Sequence, residues 1–207
     1  DALEAHNKRV EYFEYQGDDH NISRNSDLAW ERTIKFFERN LEKEKVADDS
    51  NNDLIPPLDD PQERITKKTF GMFITPEDSP VENERFRGYH TGVDWEVFDS
   101  EIGEEVSVKT MCDGELVSKQ YVAGYGGTAV QKCSISEEPA TVIYGHLDIE
   151  SIDISEGEEM EAGETLGMLG EDRSEETDGE RKHLHLGIHK GENIDLAGYV
   201  DSRQQLS

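Results

Sequence analysis

From Lys67 onward the chain is written as short β-prone runs cut by glycine-containing turns, and no stretch keeps a helical 3.6-residue period. Examples are Gly92–Phe98, Gly114–Ser118, Thr128–Gln131, Ala140–Tyr144, Thr165–Leu169 and His183–Ile188. Turns repeated roughly every 8–12 residues leave little room for anything but an all-β domain, and predict an antiparallel β-sandwich or barrel-like fold. Ala123-Gly124-Tyr125-Gly126-Gly127 reads as a hairpin tip.

The front of the chain reads differently. Arg9–Tyr15 alternates as a strand does, and Gly17–His20 is turn-like. Ser26-Asp27 can cap a helix, along which Leu28, Trp30, Ile34, Phe37 and Leu41 recur. One strand and one helix cannot bury a core alone. Between the two parts lies an acidic, proline-containing stretch with few apolar residues beyond Leu54-Ile55 and Leu58. It reads as a linker. The expected division is 1–46, a strand–helix segment; 47–66, a linker; and 67–207, the β domain.

Charge narrows the function classes. There are 48 acidic side chains against 21 basic ones, a net charge of −27. A nucleic-acid partner is not expected, because phosphate backbones need Lys/Arg stripes. No run of apolar residues is long enough for a membrane span. No basic-then-apolar leader stands at the start of this sequence. The acidic runs at 137–138, 156–164 and 171–180 read as solvated loops and strand edges. Cys112 and Cys133 allow one disulfide at most, and spacing leaves it open whether they form it.

The chemistry is carried by histidines. His90-Thr91-Gly92-Val93-Asp94 opens a strand, His146 follows one, and His183-Leu184-His185 lies inside one. Strand residues i and i+2 share a face, so His183 and His185 point the same way and Leu184 the other. Such a pair can hold one metal, or one imidazole can ligate while its neighbour acts on water. An Asp four residues after a His, across a glycine, can bring a third ligand round. Two His and one Asp make a tetrahedral zinc site with its fourth position open, the catalytic pattern. His189 shares the His183/His185 face but sits at the strand exit beside Lys190-Gly191, and reads as solvated. Tyr89 and Tyr144 flank the site and read equally as groove walls or strand anchors.

With these motifs in order, residues 70–200 resemble the lysostaphin-like (LytM-type) zinc metallopeptidases, which cut peptide bonds in bacterial peptidoglycan. The resemblance rests on His90-Thr91-Gly92-Val93-Asp94, Tyr144-Gly145-His146-Leu147 and His183-Leu184-His185-Leu186-Gly187-Ile188. Asp113–Val117, Gly124–Gly127 and Gly157–Gly167 fit the strand–turn pieces between them. The resemblance implies that His90, Asp94 and His185 bind one Zn2+, and that His146 and His183 are the catalytic pair. It implies a metalloendopeptidase acting on stem or cross-bridge peptides in the cell envelope, periplasmic or extracellular. Loops 76–89, 121–127 and 171–182 would wall the groove. The alternative is a non-catalytic wall-hydrolase regulator or peptidoglycan-binding module of the same fold.

Residues 1–46 resemble the C-terminal end of a prolyl-oligopeptidase-type α/β-hydrolase. The matching runs are Glu14–Ser23 and Ala29–Phe37, with His20 at the family's catalytic-His position. A triad also needs a Ser on a nucleophile elbow and an acid earlier in the chain, so this segment is expected to be silent here.

Overall fold

The structure is a computed structural model and describes residues 54–206. The strand–helix segment expected over 1–46 lies outside the described residues. The chain divides into units Asp1–Ser50 and Asn51–Ser207, and every described residue belongs to the second.

The described residues form a mainly antiparallel β domain, as the turn spacing predicts. The twelve strands among them are β1 (Phe73–Ile74), β2 (Gly88–His90), β3 (Val93–Glu96), β4 (Ser107–Lys109), β5 (Gly114–Val122), β6 (Gly126–Ile135), β7 (Glu138–Gly145), β8 (Leu147–Asp148), β9 (Glu159–Met160), β10 (Thr165–Leu169), β11 (His183–Lys190) and β12 (Tyr199–Val200). A six-stranded sheet runs β3-β11-β7-β6-β5-β9, a second sheet β4-β10-β8, and a third β1-β2-β12. Among the described residues a short α-helix, α1 (Pro61–Arg64), precedes them. Among the described residues no helix is long and apolar enough to cross a membrane.

The large sheet has two working faces because its side chains alternate. One face presents Trp95, Leu184, Leu186, Val142, Tyr144 and Ala129 to the main core. Val108, Leu147, Leu166 and Leu169 of the second sheet close that core. The opposite face carries His183, His185 and Asp94, with a smaller apolar cluster of Tyr125, Val130 and Ile143 beside them. Tyr144 is therefore an anchor and not a groove wall. Its ring is fully buried, and its hydroxyl donates to Gln131 Oε1 (2.8 Å) while accepting from the Met111 amide (2.8 Å).

Two hairpins build the middle of the sheet. β5 and β6 are joined over Ala123-Gly124-Tyr125, where the hairpin tip was expected, and Gly124 adopts φ +88°. β6 and β7 are joined by Ser136-Glu137, both at positive φ (51° and 66°), as a two-residue turn of this twist requires. Cys112 and Cys133 form a disulfide with Cα atoms 6.1 Å apart, tying the lead-in to β5 onto β6.

The stretch 54–66, expected as part of a linker, packs onto the domain. Leu58 sits in the main core at 2% exposure, and the Lys109 amide donates to Pro57 O (2.9 Å). Arg64 is buried, and its guanidinium forms two 2.7 Å bonds to Glu101 and one of 3.1 Å to Glu96 O. Composition misses this because one leucine and one arginine in an acidic stretch suffice to anchor it.

Reducing the disulfide should cost stability. Its two cysteines are 21 residues apart, and closing a loop of that size is worth about 3 kcal/mol through the unfolded chain. Denaturant titration of the Cys112→Ser/Cys133→Ser protein should show a loss of that order against the oxidised chain.

Candidate metal centre

The register of β11 assembles the site. His185 pairs with Asp94 on one side and with Gly145 on the other, and His183 pairs with Glu96. Cross-strand partners lie side by side on the same face, so one carboxylate and two imidazoles converge from β3 and β11. His90 ends β2, and the short connection through Thr91-Gly92 turns it back over Asp94. His146 follows Gly145 directly. It is held at φ +66°, with its amide donating to Tyr125 O (2.8 Å) and its carbonyl accepting from the Gly170 amide (2.8 Å). All five sequence-expected residues are thus brought together, and each is at most 5% exposed.

Three of them form a near-equilateral triangle. His90 Nε2 lies 3.1 Å from His185 Nδ1 and 3.3 Å from Asp94 Oδ1, and His185 Nδ1 lies 3.2 Å from that same oxygen. Metal–ligand bonds of about 2.0–2.1 Å at tetrahedral angles require edges of about 3.3 Å. His90, Asp94 and His185 therefore fit a tetrahedral ion. The tautomers agree. His90 Nδ1 faces the Thr69 carbonyl (3.3 Å), which can only accept, so its proton sits there and Nε2 turns a lone pair into the triangle. His185 is kept neutral as well: burial pushes it down to about 4, against smaller upward pulls from Asp94. Burial would raise the Asp94 carboxyl, but the electrostatic and hydrogen-bonding influence of the imidazoles around it, His183 first and then His90 and His185, holds it well below the usual range. A carboxylate and a neutral imidazole in a dry triangle call for a cation.

The remaining two histidines stand beside the triangle. His183 Nδ1 donates to Arg181 O (2.8 Å), which leaves Nε2 as a base 3.3 Å from Asp94 Oδ2. The His146 ring is 4.3 Å from the His183 ring, and its Nδ1 is buried with no hydrogen-bond partner. Burial first, and then the imidazoles of His183 and His185 beside it, push His146 well below its ordinary value.

Arg181, not anticipated from the sequence, supports this arrangement. One guanidinium nitrogen reaches both Asp94 Oδ2 (2.9 Å) and Glu96, and Nε reaches Glu96 Oε2 (2.9 Å). Lys67 adds a 3.0 Å bond to Glu96. The usable signal was its spacing, two residues ahead of His183. A cleft of about 210 Å3 opens over the site, lined by Asp94, His146, His183 and His185. Each expected wall loop contributes to it, through Phe86, through Ala123, Gly124 and Tyr125, and through Glu180; Lys68, Leu196, Gly198 and Tyr199 complete it. Arg85 fastens two walls together, binding Glu180 (2.9 Å) and Asp178 (2.6 Å). Lys68 forms a buried ion pair with Glu84 (2.7 Å) and donates to the Tyr199 hydroxyl (3.0 Å).

Comparison with known proteins places the chain. Residues 88–196, more than half of its length, match the model for peptidase family M23, and the chain belongs to that family. The matched part is a LytM-type peptidase domain, as the motif order implies. Similar solved structures include Helicobacter pylori Csd3, at 20% identity with a TM-score of 0.44, covering 72% of this chain and 35% of that one. A zinc-containing peptidase from Vibrio cholerae shows 18% identity and a TM-score of 0.43, covering 68% of this chain and 37% of that one. LytU shows 18% identity and a TM-score of 0.44, covering 76% and 87%. The chain thus spans little more than a third of the first two proteins. No curated protein sequence matches it.

Two predictions follow from the site's packing and charge. A Cβ on Gly92 would meet His185 Nε2 at 2.5 Å and Leu186 O at 2.6 Å, so this glycine is needed for close approach and not for a special φ. Gly92→Ala should therefore weaken any divalent-ion binding at the triangle about tenfold in a chelator-competition titration. The second concerns acid. His185 takes up its proton only near pH 4 when folded but near 6.5 otherwise, so the unfolded chain binds more protons between those values. The metal-free protein should therefore lose stability as pH falls from 6.5 towards 4, in the same direction as the depressed His146 demands. Urea titrations in EDTA across that range measure it.

Proposed function

We propose that the chain is a zinc-dependent metalloendopeptidase that hydrolyses peptide bonds in the stem or cross-bridge peptides of bacterial peptidoglycan. The observation that carries this reading is the 3.1–3.3 Å triangle of His90, Asp94 and His185 with two further imidazoles at its edge. M23 family membership and the LytM-type motif order supply the substrate class. All five motif residues are present, which argues against a ligand-free regulator of the same fold.

A zinc ion there supplies positive charge that polarises a carbonyl and makes water acidic near neutral pH. His183, its Nδ1–H held by the Arg181 carbonyl, offers Nε2 to take a proton from the attacking water. His146, fixed by its backbone bonds to Tyr125 and Gly170, hydrogen-bonds the carbonyl oxygen or passes a proton to the leaving amine. Arg181, bonded to Asp94 Oδ2, keeps the ligand carboxylate in one orientation. The cleft walls hold the peptide extended and limit solvent. The work site is the cell envelope, outside the inner membrane, and the Cys112–Cys133 disulfide suits such an oxidising compartment.

Digestion of purified peptidoglycan, read by mass spectrometry of the released fragments, tests this. The zinc-loaded chain should release peptide-bond cleavage products, and chelation or His185→Ala should abolish them. His183→Ala should still bind zinc but turn over about 10²–10⁴-fold more slowly. Cleavage that survives both chelation and His185→Ala would overturn the reading.

A further inference from the structure

His189 was expected to be solvated, and it is buried at 6% exposure. The strand continues through it to Lys190, and the following segment folds back over its neighbour: Thr141, its cross-strand partner, donates to Asn193 O (3.3 Å). His185, Gly187 and His189 share one face of β11 by alternation. Two atoms on that face lack hydrogen-bond partners. They are His185 Nε2, the ring nitrogen turned away from the ligand triangle, and His189 Nε2. Both are fully enclosed.

Gly187 lies between them. A Cβ built there would stand 3.9 Å from His185 Nε2, 3.7 Å from His189 Nε2 and 3.7 Å from Ile143 Cβ. Both nitrogens therefore border the same small volume over this glycine, and the edge-on Tyr125 ring (4.9 Å from the His185 ring) packs against His185 beside it. A buried donor or acceptor left unmatched is destabilising. Two such atoms facing the same side-chain-free patch of β11 fit a single shared hydrogen-bonding molecule.

We propose that His189 is a positioning residue for His185, acting through one water held over Gly187. With Nδ1 turned to the metal, His185 carries its proton on Nε2 and donates it to the water. The water in turn donates to His189 Nε2. Metal-binding imidazoles are commonly oriented by such a partner on their second nitrogen. His90 has its own in the Thr69 carbonyl, and His189 supplies the equivalent for His185 at one remove. This inference rests on the metal reading above and adds to it a residue outside the family motifs.

The test uses the full chain and zinc itself, with affinity read by competition against a chromophoric chelator. His189→Phe keeps the ring's bulk but cannot hydrogen-bond, and Gly187→Ala fills the space without touching any atom closer than 3.7 Å. Both should weaken zinc binding about tenfold, while His189→Gln should bind like the wild type. Should His189→Phe not fold, Gly187→Ala still decides the matter. A wild-type chain that binds no zinc overturns the metal reading, and this inference with it. A wild type that binds one zinc, with His189→Phe and Gly187→Ala binding equally tightly, overturns this inference alone. It is also overturned if His189→Gln loses as much affinity as His189→Phe, or if the wild type binds two ions and His189→Phe one.

Discussion

The site depends on one pairing register, that of β11 between β3 and β7. With His185 opposite Asp94 and Gly145, three strands deliver their polar groups to one point. A slip of one residue would turn both histidines into the core and bring Leu184 and Leu186 out to the cleft. Leu184 is fully buried and Leu186 nearly so, so such a slip would expose two large apolar side chains and bury two imidazoles in their place. Apolar burial on one face therefore fixes the geometry on the other. Gly145 belongs to the same logic. A Cβ there would come within 2.6 Å of the Tyr125 ring, which packs edge-on against His185.

Charge is managed in layers. The outer surface is strongly acidic, yet every buried carboxylate near the cleft has a cationic partner. Asp94 and Glu96 share Arg181, Glu96 also takes Lys67, and Glu84 takes Lys68. Arg181 gains most from its planar fork, which can serve two carboxylates at once in a way an ammonium cannot. Burial alone would drive these acids to take up protons. Partners of this kind keep Glu84 and Glu96 ionised below their ordinary values. One oxygen of Asp94 can then face the triangle because the other is already occupied by Arg181.

Much of the fold and the centre was legible because strand alternation is a strict rule. The shared face of His183 and His185, the hairpin at 123–127 and the all-β class all follow from period and turn spacing. What escaped depends on what lies over a strand. His189 looked like a strand exit, but the segment after Gly191 returns across Thr141. Tyr144 could have faced either way until the register put it opposite Ala129 and Leu186, on the core side. Gly92 was read as a turn residue, whereas the structure needs its missing side chain. Arg181 carries only the weak signal of standing two residues ahead of His183, and Lys68 and Tyr199 carry none, so three-dimensional neighbourhood alone reveals those two.

The embedding of Leu58 and Arg64 bears on how much chain makes a self-sufficient unit. The family match begins at residue 88, but Thr69 O steadies His90, Lys68 braces Tyr199, and Leu58 plugs the interior. All three lie upstream. A fragment trimmed to the matched stretch would keep His90, Asp94 and His185 and yet lose the wedge and the brace that hold them still. The smallest autonomous piece therefore starts before Ile55, whose amide already pairs with Met111 O.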